Sequence, residues 1–461
     1  MSGEAERGMC RGVTPSRRRG GSSTGWADSR RVTASPKRSA PERRGLHAWL
    51  PYYAGFSEGF VADTLSELAV GADQLVLDPM NGSGTTTMVA QQCGHIAIGV
   101  ELNPAMAIIA RAKDPTFLGC DCAAELAKRI VKRAARRRYT GRVSEHTAAW
   151  IPPRIFQELK CLDAEISRCD ESPIIELDHR LANVVPPSER QTGGRARDLL
   201  RAALLITARK VSSSETSKNP TWLKPGNGQP DDGVDVFTEF PEVVATMLAD
   251  LEDAYETRPS SRRVLVLEAD AKELPLPDNS VDAIVTSPPY LTRIDYAVGT
   301  TPELVLLGYE SEESIHQLRG AIMGSTCVTG GAYHVRQCWG KTCLTMIDSV
   351  RRHPSKASAG YYLKMHLQYF RDAEAVLREC LRVLKRGAPA IFVVQDSWYK
   401  DIHVPLGAIY VEMARALGAS TAGITSSDQV RSHLGLVNTR ARKYAKGELF
   451  EHVVLVRGRK T

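Results

Sequence analysis

No stretch of this 461-residue chain approaches the roughly 20 uninterrupted apolar residues that a bilayer-spanning helix demands, and the apolar runs are as short as Ile391 to Val394. A membrane span is therefore not expected. The arginines near the start are followed by no apolar segment, so nothing reads as a secretory leader and the cytoplasm is the expected location. The ten cysteines include no Cys-x-x-Cys pair and no cluster with histidine at zinc-ligand spacing, so free thiols and no metal site are expected. What is present is the composition of a globular protein, 43% hydrophobic and 25% charged.

The net charge of +7 lies entirely in residues 1–45, which hold eleven Lys/Arg against four Asp/Glu. This segment is rich in Arg, Ser, Gly and Pro and poor in apolar residues, too little to offset the entropy of ordering it, and is expected to be a disordered basic tail. A second basic element runs from Leu126 to Ser144 without an acid. The pairs Lys128/Arg129, Lys132/Arg133 and Arg136/Arg137 alternate with Leu126/Ala127, Ile130/Val131 and Ala134/Ala135, which predicts a helix with one cationic and one apolar face. Like charges four apart repel. A polyanion beside them would remove that cost, so these six residues are candidate contacts to nucleic-acid phosphates.

Two motifs carry chemistry. Gln74 to Leu77 reads as a short strand, followed at once by Asp78-Pro79-Met80-Asn81-Gly82-Ser83-Gly84-Thr85-Thr86 and an apolar helix through Met88, Val89 and Ala90. Glycine at 82 and 84 lets a ligand lie against the backbone and permits a positive φ. A second strand, Ile96 to Val100, ends in Glu101, nineteen residues beyond Gly82, where a carboxylate is placed to accept from both hydroxyls of a ribose. Thr87 stands where the third glycine of a dinucleotide fingerprint would fall, and no Lys-Ser/Thr follows the turn as in a phosphate loop. Adenosine without a pyrophosphate is the expected ligand.

The second motif closes the strand Val281 to Val285 with Thr286-Ser287-Pro288-Pro289-Tyr290. Adjacent prolines fix φ and hold the backbone extended at a strand's carboxyl end, where open α/β sheets bind ligands. The loop offers the Ser287 hydroxyl, carbonyls at Ser287 and Pro288, and the face of Tyr290. Two acceptors can take both hydrogens of an aromatic amine and localise its lone pair, while the tyrosine stacks on the base that bears it. Such an amine could attack a sulfonium methyl directly, with positioning as the main aid.

These residues, with Ile98-Gly99-Val100-Glu101-Leu102-Asn103-Pro104, the run from Glu268 through Asp270 to Tyr290, and Leu377 to Val394, stand in an order that resembles the S-adenosylmethionine-dependent DNA amino-methyltransferases, the N4-cytosine and N6-adenine group with a Ser-Pro-Pro-Tyr loop. No cysteine follows a proline, so the nucleophile of the cytosine-C5 enzymes is absent. The resemblance covers about 46–112 and 261–400. It implies an α/β, Rossmann-like class I methyltransferase with a mostly parallel seven-stranded sheet and helices on both faces. It implies that Asp78, Met80, Gly82, Gly84, Thr85, Glu101, Asp270 and Ala271 hold S-adenosylmethionine, and that Ser287, Pro288, Pro289 and Tyr290 form the catalytic loop. His47 to Phe60 would close over the cofactor. Serine at the head of the loop points to N4 of a flipped cytosine, with N6 of adenine as the alternative.

Met80-Asn81 departs from the family's usual Phe and small residue, and Arg386-Gly387-Ala388-Pro389 from its Pro-Gly-Gly. The catalytic domain, 46–112 and 261–461, is expected to carry a helical insertion at 113–260 as a candidate DNA-recognition region, and a second insertion at 300–360. Double-stranded DNA and a cognate restriction endonuclease are the implied partners. An RNA guanine-N2 methyltransferase and a catalytically silent DNA-binding protein are rival readings.

Overall fold

The computed structural model describes residues 34–39, 42–50, 57–117, 121–169, 176–188, 196–216, 222–226, 235–256, 263–291, 294–328, 330, 334–430 and 448–460. Seven strands form one sheet: β1 (Leu75–Asp78), β2 (Ile96–Glu101), β3 (Val264–Glu268), β4 (Ala283–Thr286), β5 (Pro389–Gln395), β6 (Thr421–Val430) and β7 (Leu449–Arg457). Their order is β3-β2-β1-β4-β5-β7-β6, with β7 antiparallel to both neighbours and every other pair parallel. The chain runs outward from β1 to β3 and returns to place β4 on the other side of β1. That reversal opens a crevice beyond the carboxyl ends of β1 and β4. The expected Rossmann-like methyltransferase fold is present.

The helices are α1 (Glu58–Glu67), α2 (Thr85–Gln92), α3 (Pro104–Ala112), α4 (Asp121–Ala134), α5 (Glu145–Trp150), α6 (Pro153–Ile166), α7 (His179–Val184), α8 (Ala196–Val211), α9 (Val236–Ala254), α10 (Thr301–Leu306), α11 (Glu312–Ala321), α12 (Gly340–Arg352), α13 (Leu363–Val383) and α14 (Leu406–Ala416). Alternation along the strands divides the core between the two faces of the sheet. Val76, Ala97, Val266, Val285 and Val393 face α2 and α3 and, beyond them, Phe156, Leu204 and Phe240 of α6, α8 and α9. Leu77, Ile98, Leu267, Ile284 and Phe392 share the opposite cluster with Phe370 and Leu377 of α13 and Ile409 of α14. The helices of 113–260 are thus continuous with the sheet's own core. Among the described residues no helix is long and apolar enough to cross a membrane.

Two expectations are corrected, and one strand was not expected. The basic tail was placed at 1–45, of which 1–33 and 40–41 lie outside the described residues. Residues 34–39 pack on the body: Arg38 is buried, and the Ala34 amide donates to Asp63 at 3.1 Å. The cationic helix ends at Ala134, so Arg136 and Arg137 lie beyond it. Tyr139 packs edge-on against Phe156, with ring centroids 6.0 Å apart, and Arg137 pairs with Glu165 at 2.7 Å, which turns the chain towards α6. The polar edge strand β6, largely exposed, carried no apolar alternation by which to expect it.

Candidate active site

Asp78, the last residue of β1, organises the junction. Its Oδ1 accepts from the Met80 amide at 3.0 Å and the Thr286 hydroxyl at 2.7 Å, and its Oδ2 from the Thr86 hydroxyl at 2.6 Å. One carboxylate therefore ties the glycine turn to the end of β4. Burial pushes its pKa up to about 6, opposed by those same hydrogen bonds.

Past Asp78 the backbone turns through Gly82 with φ of +51° and enters α2 at Gly84 with φ of +87°. No side chain caps α2 at Gly84, so first-turn amides stay available to a ligand. Gly82 lines the cleft. Gly84 does not: a Cβ there would meet the Ala110 Cβ at 3.0 Å, so this glycine lets α2 approach α3. Asn81, the departure from the family's small residue, is accommodated by Gly99 on β2, where a Cβ would lie 2.4 Å from the Asn81 side chain. The Asn81 Nδ2 is buried without a partner among the described residues. Glu101 accepts the Gly82 amide on Oε2 and the Asn103 amide on Oε1, each at 2.8 Å. Burial pushes its pKa up to about 7. Each oxygen keeps a lone pair for a further donor.

The Ser-Pro-Pro-Tyr loop meets this turn across an open cleft of about 960 Å³, counting its mouth. One wall holds Asp78, Met80, Gly82, Thr85 and Glu101, another Asp270 and Ala271, and the third Ser287, Pro288, Pro289 and Tyr290. Every sequence-selected residue at these two motifs except Gly84 lines it. The loop is pinned at several atoms. The Ser287 hydroxyl donates to the Val393 carbonyl at 3.2 Å, the Tyr369 hydroxyl to the Pro289 carbonyl at 2.8 Å, and the Tyr290 hydroxyl to Glu451 at 2.6 Å. Gly324, at φ of +77°, comes so close that a Cβ would sit 2.9 Å from that of Pro289.

Sequence reasoning missed several contributors. Asp270 is ion-paired with Lys272 at 3.0 Å, and Lys272 also donates to the Ala321 carbonyl at the end of α11 at 2.7 Å. Ile322 and Met323, within the expected 300–360 insertion, line the cleft, as do Tyr296 and Met106. A buried charged group lies behind the glycine turn: Arg38 donates to the Thr85 hydroxyl and Lys113 to the Ser83 carbonyl, each at 2.7 Å, while His47 bonds Glu58. Burial lowers the Lys113 pKa to about 7 and that of His47 to about 4. No spacing rule links such scattered positions. Of the stretch expected to close over the cofactor, 51–56 lies outside the described residues, and His47 and Phe60 are buried. Lys128, Arg129, Lys132, Arg133 and Arg136 are exposed, away from the cleft lining; Lys128 pairs with Glu125 at 2.7 Å.

Sheet order and a cleft at the β1/β4 reversal define the class as Rossmann-like methyltransferases. The relatives agree with that class and narrow it. The chain is 24% identical over 425 residues to the type II methyltransferase M.BsoBI of Geobacillus stearothermophilus, covering 82% of this chain and 79% of that one. It is 25% identical over 443 residues to M.AvaI, a type II methyltransferase of Nostoc and of Anabaena variabilis, covering 87% of this chain and 86% of the relative. These similarities bear out the resemblance to the DNA methyltransferase family. No family model matches the chain. Among solved structures, a geranyl diphosphate methyltransferase with GPP and sinefungin aligns over 87% of this chain and 77% of its own at TM-score 0.28 and 9% identity. Its structure with SAM aligns over 90% and 94% at TM-score 0.26 and 10% identity. Both overlaps are loose, and the fold rests on the strand order itself.

Proposed function

We propose that this protein is a site-specific DNA methyltransferase acting on the exocyclic amino group of a flipped base, N4 of cytosine. The observation that carries this is the single cleft shared by the glycine turn and the Ser-Pro-Pro-Tyr loop, two segments some two hundred residues apart in the chain. The first wall fits S-adenosylmethionine: a left-handed glycine at 82, the unpartnered buried amide of Asn81, and Glu101 with lone pairs to spare. When bound, the cofactor would supply a sulfonium methyl carbon open to in-line attack by an amine, the N–C bond forming as the C–S bond breaks, the neutral thioether leaving and the surplus N–H proton passing to solvent, so no protein nucleophile is required. Asp270 would accept from the adenine amino group, at the cost of sharing its carboxylate with Lys272.

The second wall acts on the amine. The Ser287 hydroxyl gives its proton to the Val393 carbonyl, which turns its lone pairs into acceptors for the substrate's N–H. Accepting both amine hydrogens draws the nitrogen towards sp3 and makes its lone pair available. A paired base has no room for this approach, so the target must leave the duplex. Ser287 at the head of the loop supports cytosine over the N6-adenine alternative, and the type II designation of the relatives supports a companion restriction endonuclease and a duplex DNA substrate. The exposed cations of α4 are the proposed phosphate contacts.

Incubation with radiolabelled S-adenosylmethionine and either duplex DNA or tRNA tests the reading. Label in DNA that co-migrates with N4-methylcytosine after digestion to nucleosides is the expected result. N6-methyladenine would correct the base, label only in tRNA would shift the reading to an RNA guanine-N2 enzyme, and no label would leave a silent binding protein.

A further inference from the structure

Glu451 is a buried carboxylate that the proposed chemistry does not use. It sits on β7, opposite Gln395 of β5, two strands from the end of β4, and its Oε1 accepts the Tyr290 hydroxyl at 2.6 Å. Its Oε2 is buried and has no partner among the described residues. Asp396, which follows β5, likewise has one buried oxygen without a partner among the described residues, whereas Asp78, Glu303 and Glu374 satisfy both of theirs from hydroxyls, an amide, arginine or the Trp339 indole. A carboxylate kept only for packing would be expected to find a second donor or to be replaced by an apolar residue, because a buried, half-satisfied charge is costly. The bond it does make is of the strong, charge-assisted kind and fixes an aromatic ring that borders the cleft.

Ring orientation is set at the phenol oxygen. The two prolines fix the backbone and the bond from Tyr369 anchors the loop at a main-chain carbonyl, while the Tyr290 hydroxyl is held by Glu451 and has the Ser287 side chain beside it. An aromatic side chain at the end of a loop can turn about two torsions, and stacking on a base demands one of those orientations. We propose that Glu451 is a positioning residue for methyl transfer, holding the Tyr290 hydroxyl so that the ring stands ready as the platform for the extruded base. This explains why a phenol is useful where a plain phenyl ring would stack as well. The inference rests on the methyltransferase reading above.

The test compares Tyr290→Phe, Glu451→Ala and the double variant with wild type. It measures steady-state methylation of duplex DNA, and the fluorescence of 2-aminopurine at the target position in a complex with sinefungin. Each single variant is expected to lower kcat about tenfold, to diminish the fluorescence gain that reports a held flipped base, and to leave the KM for S-adenosylmethionine within about twofold. The double variant should be no slower than Tyr290→Phe alone. Glu451→Gln, which keeps a carbonyl oxygen for the phenol, should recover the rate to within about threefold of wild type; thermal melting checks that each variant is folded. Losses that multiply in the double variant, or a Glu451→Ala loss confined to cofactor KM or to stability, would overturn the inference while leaving the function standing. A wild-type protein that methylates no DNA would overturn both.

Discussion

At Glu101 two demands meet in one carboxylate. Burial makes the neutral acid easier to form, with the pKa pushed up to about 7, whereas the ribose hydroxyls proposed to donate to it would require the ionised form. Binding then favours the deprotonated state, so cofactor affinity should fall as pH drops through 7, approaching tenfold per unit below it, and level off above. Equilibrium binding of S-adenosylmethionine between pH 5.5 and 8.5 measures this, and Glu101→Gln should bind weakly with a flat profile. Ser287→Ala belongs to the same scale with the opposite signature: methyl transfer should drop by about 10²-fold while cofactor affinity stays within about twofold. A reversal of the two patterns would exchange the assigned roles. Both residues were legible in the sequence because each ends an apolar strand and is followed by residues with special backbone geometry. Glu451 was not, since it lies inside the last strand, β7, where nothing local marks a carboxylate that meets a tyrosine 161 positions away.

Among the elements, those with strong period and punctuation were found close to their bounds. The strand expected from Gln74 to Leu77 is β1 at Leu75–Asp78, and the one expected from Ile96 to Val100 is β2 at Ile96–Glu101. The cationic segment shows where periodicity fails: its alternation continues past Ala134, but the helix yields to the packing of Tyr139 and the pairing of Arg137. β6 shows the converse, a strand specified by hydrogen bonding to β7 rather than by an apolar face. Gly84 illustrates a right choice of residue with a different physical task. Expected to admit a ligand, it instead admits Ala110 of α3. Gly84→Ala should destabilise the protein by about 1–3 kcal/mol, from overpacking and a strained φ, measured as a lower urea midpoint with an unchanged m-value. Loss of cofactor affinity with no loss of stability would instead return Gly84 to the ligand surface.

For the molecule as a whole, the cations of α4 are displayed on the solvent side of a helix whose Leu126, Ala127 and Ile130 are buried in the same core as the sheet. Replacing Lys132 and Arg133 by Glu should weaken DNA binding at every sequence and reduce the slope of log affinity against log salt by about 2 if both meet phosphates, with cofactor binding unaltered. An unchanged slope would make this a merely hydrated face. The continuity of that core has a consequence for how such proteins diversify. Among the described residues no seam separates the helices between β2 and β3 from the sheet, so a segment such as 113–260 cannot be grafted from a distant relative without stranding two apolar surfaces. New specificity must arise by point changes on the water-facing rows of these helices, while the inward rows stay as they are.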